Sequence, residues 1–235
     1  MPTSEIELLE VHGCDYSDYN GWLKDAAEDW QYVTGRHDIQ NRKDWEFIAM
    51  AQFFMQHSAV LNGLVLDTAC GRESLVDWLA DKAETVVATD YWQPAYLAAA
   101  NIKLEDFLTF WKTLPNVYPM VMDTTRMHLH DNTFDATFCV SSIEHIGSED
   151  GFHGGSEQAI REMIRVTKPG GLIAFSTEMH PDETQDKWYF TRMGLAQFIG
   201  RFQLTASPTV FDVKTPDGSD EKFGIHPVAF AFRKR

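Results

Sequence analysis

The stretch Gly63–Asp90, GLVLDTACGRESLVDWLADKAETVVATD, decides how the chain is read. Its two short apolar runs, GLVLDT and TVVATD, carry an aspartate at or next to their ends, Asp67 and Asp90. Between them, ESLVDWLADKA places Leu75 and Leu79 on one helical face. A strand, a helix and a second strand in this order form a crossover unit, the connection that parallel strands require. Both runs are apolar throughout rather than alternating, as in strands covered on both faces.

The same rhythm continues outward. YPMVMDT, FDATFCVSS and GLIAFSTE read as further buried strands, and SEQAIREMIRV puts Ile160 and Ile164 on one helical face. Thr191–Phe202 reads as a helix. QLTASPTVFDVK and HPVAFAFRKR then read as two strands around the turn signal TPDGSD, an antiparallel pair closing the sheet. Before Gly63 the pattern is helical: Trp22, Leu23, Ala26, Ala27 and Trp30 recur at helical spacing, and a second apolar helix runs from about Asp44 to Leu61. The expected architecture is α/β, a doubly wound sheet, mostly parallel with an antiparallel C-terminal strand pair. Residues 61–235 form that domain, and residues 1–60 a helical extension that acts as a lid.

Charge and composition narrow the function. The chain of 235 residues carries a formal net charge of −15, so it lacks the basic face that a nucleic-acid partner demands. The first 60 residues hold 11 acidic and 4 basic side chains, so the acidity is concentrated there. No run of 18 apolar residues occurs and MPTSEIELLE is acidic, which predicts neither membrane span nor export signal and a cytoplasmic location. Cys14, Cys70 and Cys139 lack CxxC or zinc-finger spacing and read as buried, reduced thiols. The Arg233-Lys234-Arg235 tail reads as exposed charge that serves solubility.

In a doubly wound sheet, ligands sit at the carboxyl ends of the strands. Asp67, Asp90 and Asp123 each fall where the chain turns over that edge, and the 23-residue interval from Asp67 to Asp90 suits a carboxylate that takes ribose hydroxyls. Two cofactor types compete. A dinucleotide needs glycines at the first turn so that the backbone can approach its pyrophosphate. This turn reads Ala69-Cys70-Gly71-Arg72-Glu73-Ser74, and Glu73 opposes phosphate. S-adenosylmethionine has no phosphate and brings an ammonium and a sulfonium, which an acidic turn suits. Glu73 is equally explained as a charge favoured in a first helical turn.

Taken together, these segments resemble the class I S-adenosylmethionine-dependent methyltransferases over roughly residues 60–180. LVLDTACG is similar to the family's first motif and TVVATDYW to its second. MDTTRMHLHDNTFDATFCVSSIEHI resembles the third and fourth, and EQAIREMIRVTKPGGLIAFSTE carries the characteristic helix-to-strand turn. In that turn Pro169 ends the helix, and Gly170-Gly171 permit positive φ angles. The resemblance implies a Rossmann-like fold with S-adenosyl-L-methionine as cofactor. By it, Asp67, Ala69 and Gly71 flank the methionine moiety, with Glu73 at the same turn. Asp90 binds the ribose, Tyr91 packs on the adenine, Asp123 takes the adenine amino group beside Thr124, and Val140, Ser141 and Ser142 floor the sulfonium. Ala69 and Glu73 depart from the family pattern, which has small residues there. The variant turn, with the RKDWE and STE segments, is similar to methyltransferases of glycan and surface-polysaccharide pathways.

Methyl transfer to a hydroxyl benefits from a base near neutral pH. His145, in SSIEHIG after the fourth parallel strand, is the first candidate, followed by Glu144 and His153. The spacing of these three lacks a metal-binding register, so no metal is expected. Glu178 and His180 fall on the same edge and either meet the acceptor or cap the strand, and His128 and His130 read as solvent-facing. The expected activity is methyl transfer to a small-molecule or glycan acceptor at oxygen, without a nucleic-acid partner. The alternatives are a non-catalytic binding protein of this fold and a methyltransferase of protein or nucleic acid; a nicotinamide-dependent enzyme lacks its phosphate cradle. Neither acceptor nor oligomeric state is legible.

Overall fold

A computed structural model describes residues 5–37, 42–71, 75–92, 97, 103–147, 154–180, 189–202 and 225–235. In chain order the elements are β1 (Ile6–Gly13), α1 (Lys24–Thr34), α2 (Arg42–Gln56), β2 (Leu64–Thr68), α3 (Leu75–Lys82), β3 (Thr85–Asp90), α4 (Leu104–Trp111), β4 (Val117–Val121), β5 (Phe134–Cys139), α5 (Gly154–Val166), β6 (Thr167–His180), β7 (Phe190–Thr191), α6 (Arg192–Gly200) and β8 (His226–Lys234). The strands order as β1-β8-β6-β5-β2-β3-β4, with β7 beside β6. Strands β4, β3, β2, β5 and β6 pair in parallel, whereas β8 is antiparallel to both β6 and β1.

This is the mixed doubly wound sheet that the apolar runs predict, with one difference at the edge. The outer partner of β8 is β1, drawn from the acidic segment IELLEVHG. The N-terminal extension is therefore not wholly helical: among the described residues its first element is a strand of the sheet. That strand escapes sequence reading because Glu7 and Glu10 interrupt the apolar pattern, and its register with β8 shifts between Leu8 and Glu10. The other expected strand, QLTASPTVFDVK, lies outside the described residues.

Two hydrophobic layers cover the sheet, and strand alternation sorts side chains between them. On one face small residues, Ala136, Ala174, Ala229 and Ala231, leave room for Trp30, Trp45, Phe53 and Phe54 of α1 and α2. On the other, Phe175, Phe230 and Phe232 stack at 4.9–6.0 Å between ring centroids and pack with Ile160, Met163 and Ile164 of α5 and Leu195 and Phe198 of α6. Trp30 is thus core, whereas Tyr32 is 87% exposed. The helix-to-strand turn uses its glycines differently from one another: Gly170 has φ +82°, but a Cβ on Gly171 would lie 2.8 Å from the Asp135 carbonyl oxygen. Only Gly170 supplies a positive φ; Gly171 supplies space.

The C-terminal basic tail is also corrected. Arg233 and Lys234 belong to β1-paired β8, and Lys234 Nζ donates to the Asn132 Oδ1 and Thr167 carbonyl at 2.8 Å each. Lys234 ties the sheet edge to the loop before β5 instead of merely adding solubility. All three cysteines are buried free thiols, as their spacing predicts. No helix among the described residues is long and apolar enough to cross a membrane.

Candidate active site

Strand order reverses between β2 and β5: the chain runs from β2 through β3 to β4 on one side, and β5 leads to β6 on the other. Such a switch point opens a crevice beyond the carboxyl ends of the strands. Four non-glycine residues with positive φ lie in the described residues, and three of them fall here: Ala69 (φ 55°) after β2, Trp92 (φ 51°) after β3 and Ser141 (φ 47°) after β5. Strained backbone of this kind persists where surrounding structure enforces it, often at functional sites. Gly71 (φ 53°) completes the first turn.

The carboxylates expected at this edge differ in state. Asp67 is fully buried, and neither of its oxygens has a hydrogen-bond partner. Burial, and secondarily the Asp90 charge, push its carboxyl well above the usual range. Asp90 accepts from the Gly71 N–H at 3.0 Å and the Trp92 N–H at 2.9 Å, so it stitches the first turn to the second. Desolvation raises its carboxyl despite these bonds. Asp123 is exposed just past β4, with its Oδ1 accepting from Thr125; Thr124 is buried and Tyr91 is 55% exposed. Val140 is buried, and the Ser142 hydroxyl donates to the Ala69 carbonyl at 3.4 Å, which links the loops after β5 and β2. Glu73 and His153 lie outside the described residues.

Next to this crevice, three segments distant in sequence converge: Arg42–Glu46 at the start of α2, Ser141–His145 after β5, and Ser176–Glu178 near the end of β6. The Glu178 Oε1 meets Arg42 Nε at 3.1 Å, Lys43 Nζ at 3.8 Å and the Ser141 hydroxyl at 3.3 Å. Lys43 also donates to the Ser141 hydroxyl and stands 4.0 Å from Glu46. Ser176 donates to Glu46 and receives the Ser141 N–H at 2.9 Å, while Thr177 donates to Glu144 Oε2 at 2.9 Å. Glu46, Glu144 and Glu178 are all buried.

The three carboxyl groups shape one another's protonation. Burial, partly offset by Lys43, raises Glu46 to about 7. Burial with the charges of Glu178 and Glu46 raises Glu144 to about 8. Burial lowers the imidazole of His145 below its ordinary value, so the ring is neutral near pH 7. His145 Nε2 lies 3.7 Å from Glu144 Oε1, and its ring packs edge-on against Tyr189 at 5.9 Å.

Sequence reading reached His145, Glu144, Ser141 and Glu178 but passed over Arg42, Lys43 and Glu46 as site residues. Two signals for them are present. Arg42 and Lys43 open a helix, where cations oppose the dipole, and Glu46 sits within the otherwise apolar run Trp45–Ala51. His128 and His130 are exposed, as read.

Comparison with known proteins agrees with the fold. Residues 66–175 match a family model described as "Methyltransferase domain". A malonyl-[acyl-carrier protein] O-methyltransferase of Buchnera aphidicola is 29% identical over 120 residues, which cover 49% of this chain and 40% of that protein. A demethylmenaquinone methyltransferase of Renibacterium salmoninarum is 28% identical over 123 residues, 52% of this chain and 44% of its own. The chain therefore spans less than half the length of these relatives. Among solved structures, a geranyl diphosphate C-methyltransferase of Streptomyces coelicolor superposes with a TM-score of 0.51 at 12% identity, covering 92% of this chain and 98% of that one.

Proposed function

We propose that the protein transfers the methyl group of S-adenosyl-L-methionine to a hydroxyl of a small-molecule or glycan acceptor. The observation that carries this reading is Asp67, a buried carboxyl whose oxygens lack donors at the switch-point crevice. A buried acid in that state calls for a cation, and the ammonium of the cofactor's methionine moiety is one; a pyrophosphate is not. On this reading Asp90, held by the Gly71 and Trp92 N–H groups, takes the ribose hydroxyls, and Val140 to Ser142 floor the sulfonium. The relatives named for malonyl-carrier and demethylmenaquinone methylation support a small acceptor, and the acidic balance disfavours nucleic acid.

On this reading the acceptor oxygen attacks the methyl carbon in line while the sulfur leaves with its electron pair, and alignment supplies much of the rate. A neutral His145 takes the hydroxyl proton. The test is calorimetric titration with S-adenosylhomocysteine, S-adenosylmethionine and NAD. Both adenosyl ligands are expected to bind, more tightly as pH rises, because the ammonium requires ionised Asp67 and binding expels its proton. Asp90→Ala is expected to weaken S-adenosylhomocysteine by about 1.5–3 kcal/mol. Binding of NAD alone, or of none of the three, sinks the proposal.

A further inference from the structure

We propose that Glu144, His145 and Glu178 form a binding site for a divalent first-row cation of the Mn²⁺ type, beside the methyl-transfer crevice. The ligand atoms come from adjacent strand ends, two from the turn after β5 and one from β6. A carboxylate oxygen of Glu144, a ring nitrogen of His145 and a carboxylate oxygen of Glu178 lie within 4.8 Å of one another. His153, which the sequence groups with Glu144 and His145, is not needed for this set; Glu178 takes the third place.

A second observation points to a ligand here. Glu144 is fully buried, yet only its Oε2 has a donor, from Thr177; Oε1 has no hydrogen-bond partner. That bare oxygen is the one directed at His145 Nε2, 3.7 Å away. The gap is too long for a hydrogen bond. It suits a shared cation: two ligands about 2.1 Å from one ion stand about 3.0 Å apart at a right angle and about 4.2 Å apart when opposed. At Glu178 the ion pairs with Arg42 and Lys43 and the hydroxyl of Ser141 all fall on Oε1. One imidazole with two carboxylates is a mixed nitrogen and oxygen set that favours Mn²⁺ or its first-row neighbours over Mg²⁺, which prefers oxygen alone. Arg42 and Lys43 are the competitors, since both pair with Glu178 Oε1; the Lys43 side chain is 41% exposed and can withdraw into solvent.

The use of this ion in catalysis rests on the proposed methyl transfer. Three protein ligands leave positions for water and an acceptor hydroxyl, and coordination lowers the hydroxyl's pKa. With the ion bound, His145 serves as its ligand and the hydroxyl loses its proton to water; without it, the imidazole takes the proton. In both cases the new bond is O–CH3, the broken bond is S–CH3, and the products are methyl ether, S-adenosylhomocysteine and one proton.

The experiment is Mn²⁺ titration of the full chain, followed by electron paramagnetic resonance without cofactor or acceptor. One Mn²⁺ per chain is expected, with Glu144→Gln and Glu178→Gln binding at least ten-fold more weakly and Lys43→Met several-fold more tightly. His145→Asn, at a partly exposed ring, gives a substitution that spares the core and is expected to weaken binding comparably. A free-ion signal undiminished at millimolar Mn²⁺, or equal affinity in wild type and folded His145→Asn, overturns the site. The readout is independent of the cofactor: loss of S-adenosylhomocysteine binding with Mn²⁺ binding intact overturns the methyltransferase reading alone.

Discussion

At the scale of single residues, Ala69 and His145 show how local chemistry constrains this site. The methyl group of Ala69 occupies a left-handed backbone position that favours glycine, and the strain is held by Cys70, whose N–H donates to the Thr89 carbonyl at 2.9 Å. Ala69→Gly relieves a conformational cost and is expected to stabilise the protein by about 1 kcal/mol in urea unfolding. It also widens the approach to the cofactor, so S-adenosylhomocysteine should bind at least as tightly as before. An Ala69→Gly protein less stable than the parent would contradict the strain argument. His145 faces the opposite constraint, since partial desolvation of its ring lowers its basicity and leaves it able to accept a proton. His145→Ala is expected to lower kcat by about 10²-fold or more while leaving the KM for S-adenosylmethionine unchanged. A KM effect without a kcat effect would move His145 from chemistry to binding.

At the scale of elements, β8 and α2 carry the fold into the site. β8 alternates Ala229 and Ala231 with Phe230 and Phe232, so one strand feeds small residues to the α2 layer and large ones to the α5–α6 layer. Truncating Phe230 removes one of three mutually packed rings. Phe230→Ala is expected to cost about 3–5 kcal/mol in equilibrium unfolding, against little change for a substitution at exposed Tyr32. A loss below 1 kcal/mol would mean that the stack collapses around the vacancy. α2 packs its middle under the sheet and delivers only its first turn, through Arg42, Lys43 and Glu46, to the carboxyl edge. The start of α2 is thus a part of the N-terminal segment that reaches the carboxyl edge of the sheet.

At the scale of the whole molecule, the charge distribution sets how stability follows pH. Glu46 and Glu144 have raised pKa values, about 7 and about 8, so the native state holds their protons more tightly than the unfolded chain does. Their contribution is complete below the ordinary carboxyl range and is lost as pH rises through 7 and 8. The imidazoles of His57, His145 and His226 are lowered, mainly by burial, and act with the opposite sign: they disfavour the native state as pH falls through the ordinary imidazole range. Asp135, Glu157 and Glu162, lowered by Lys168, by Arg161 and Arg201, and by Arg165, stabilise above the carboxyl range and fail in acid. Asp67 and Asp90, also raised by burial, act with the sign of the glutamates, and together these place the thermal unfolding maximum below roughly pH 7, with a fall through about pH 8 that Glu144→Gln flattens. A Tm that rises steadily to pH 9 would show that the glutamate cluster is ionised in the native state.

The sequence by itself determined the sheet's parallel core, because continuous apolar runs and helical spacing are local patterns that only one layer architecture buries. It also placed Asp67, Asp90, Ser141 and His145 at the carboxyl edge of the sheet, since each lies near the end of a strand or in the turn after one. Tertiary structure alone decided the partner of β8, because IELLEVHG is amphiphilic enough to be strand or loop until an open edge accepts it. It alone assembled the glutamate cluster, too. Glu46 is 98 residues from Glu144 and 132 from Glu178 along the chain, and no local pattern encodes that proximity. Burying three carboxyl groups together is unfavourable on every local criterion, so their convergence follows from packing α2 beneath β6 and β8, and its consequence is the chemistry of the site.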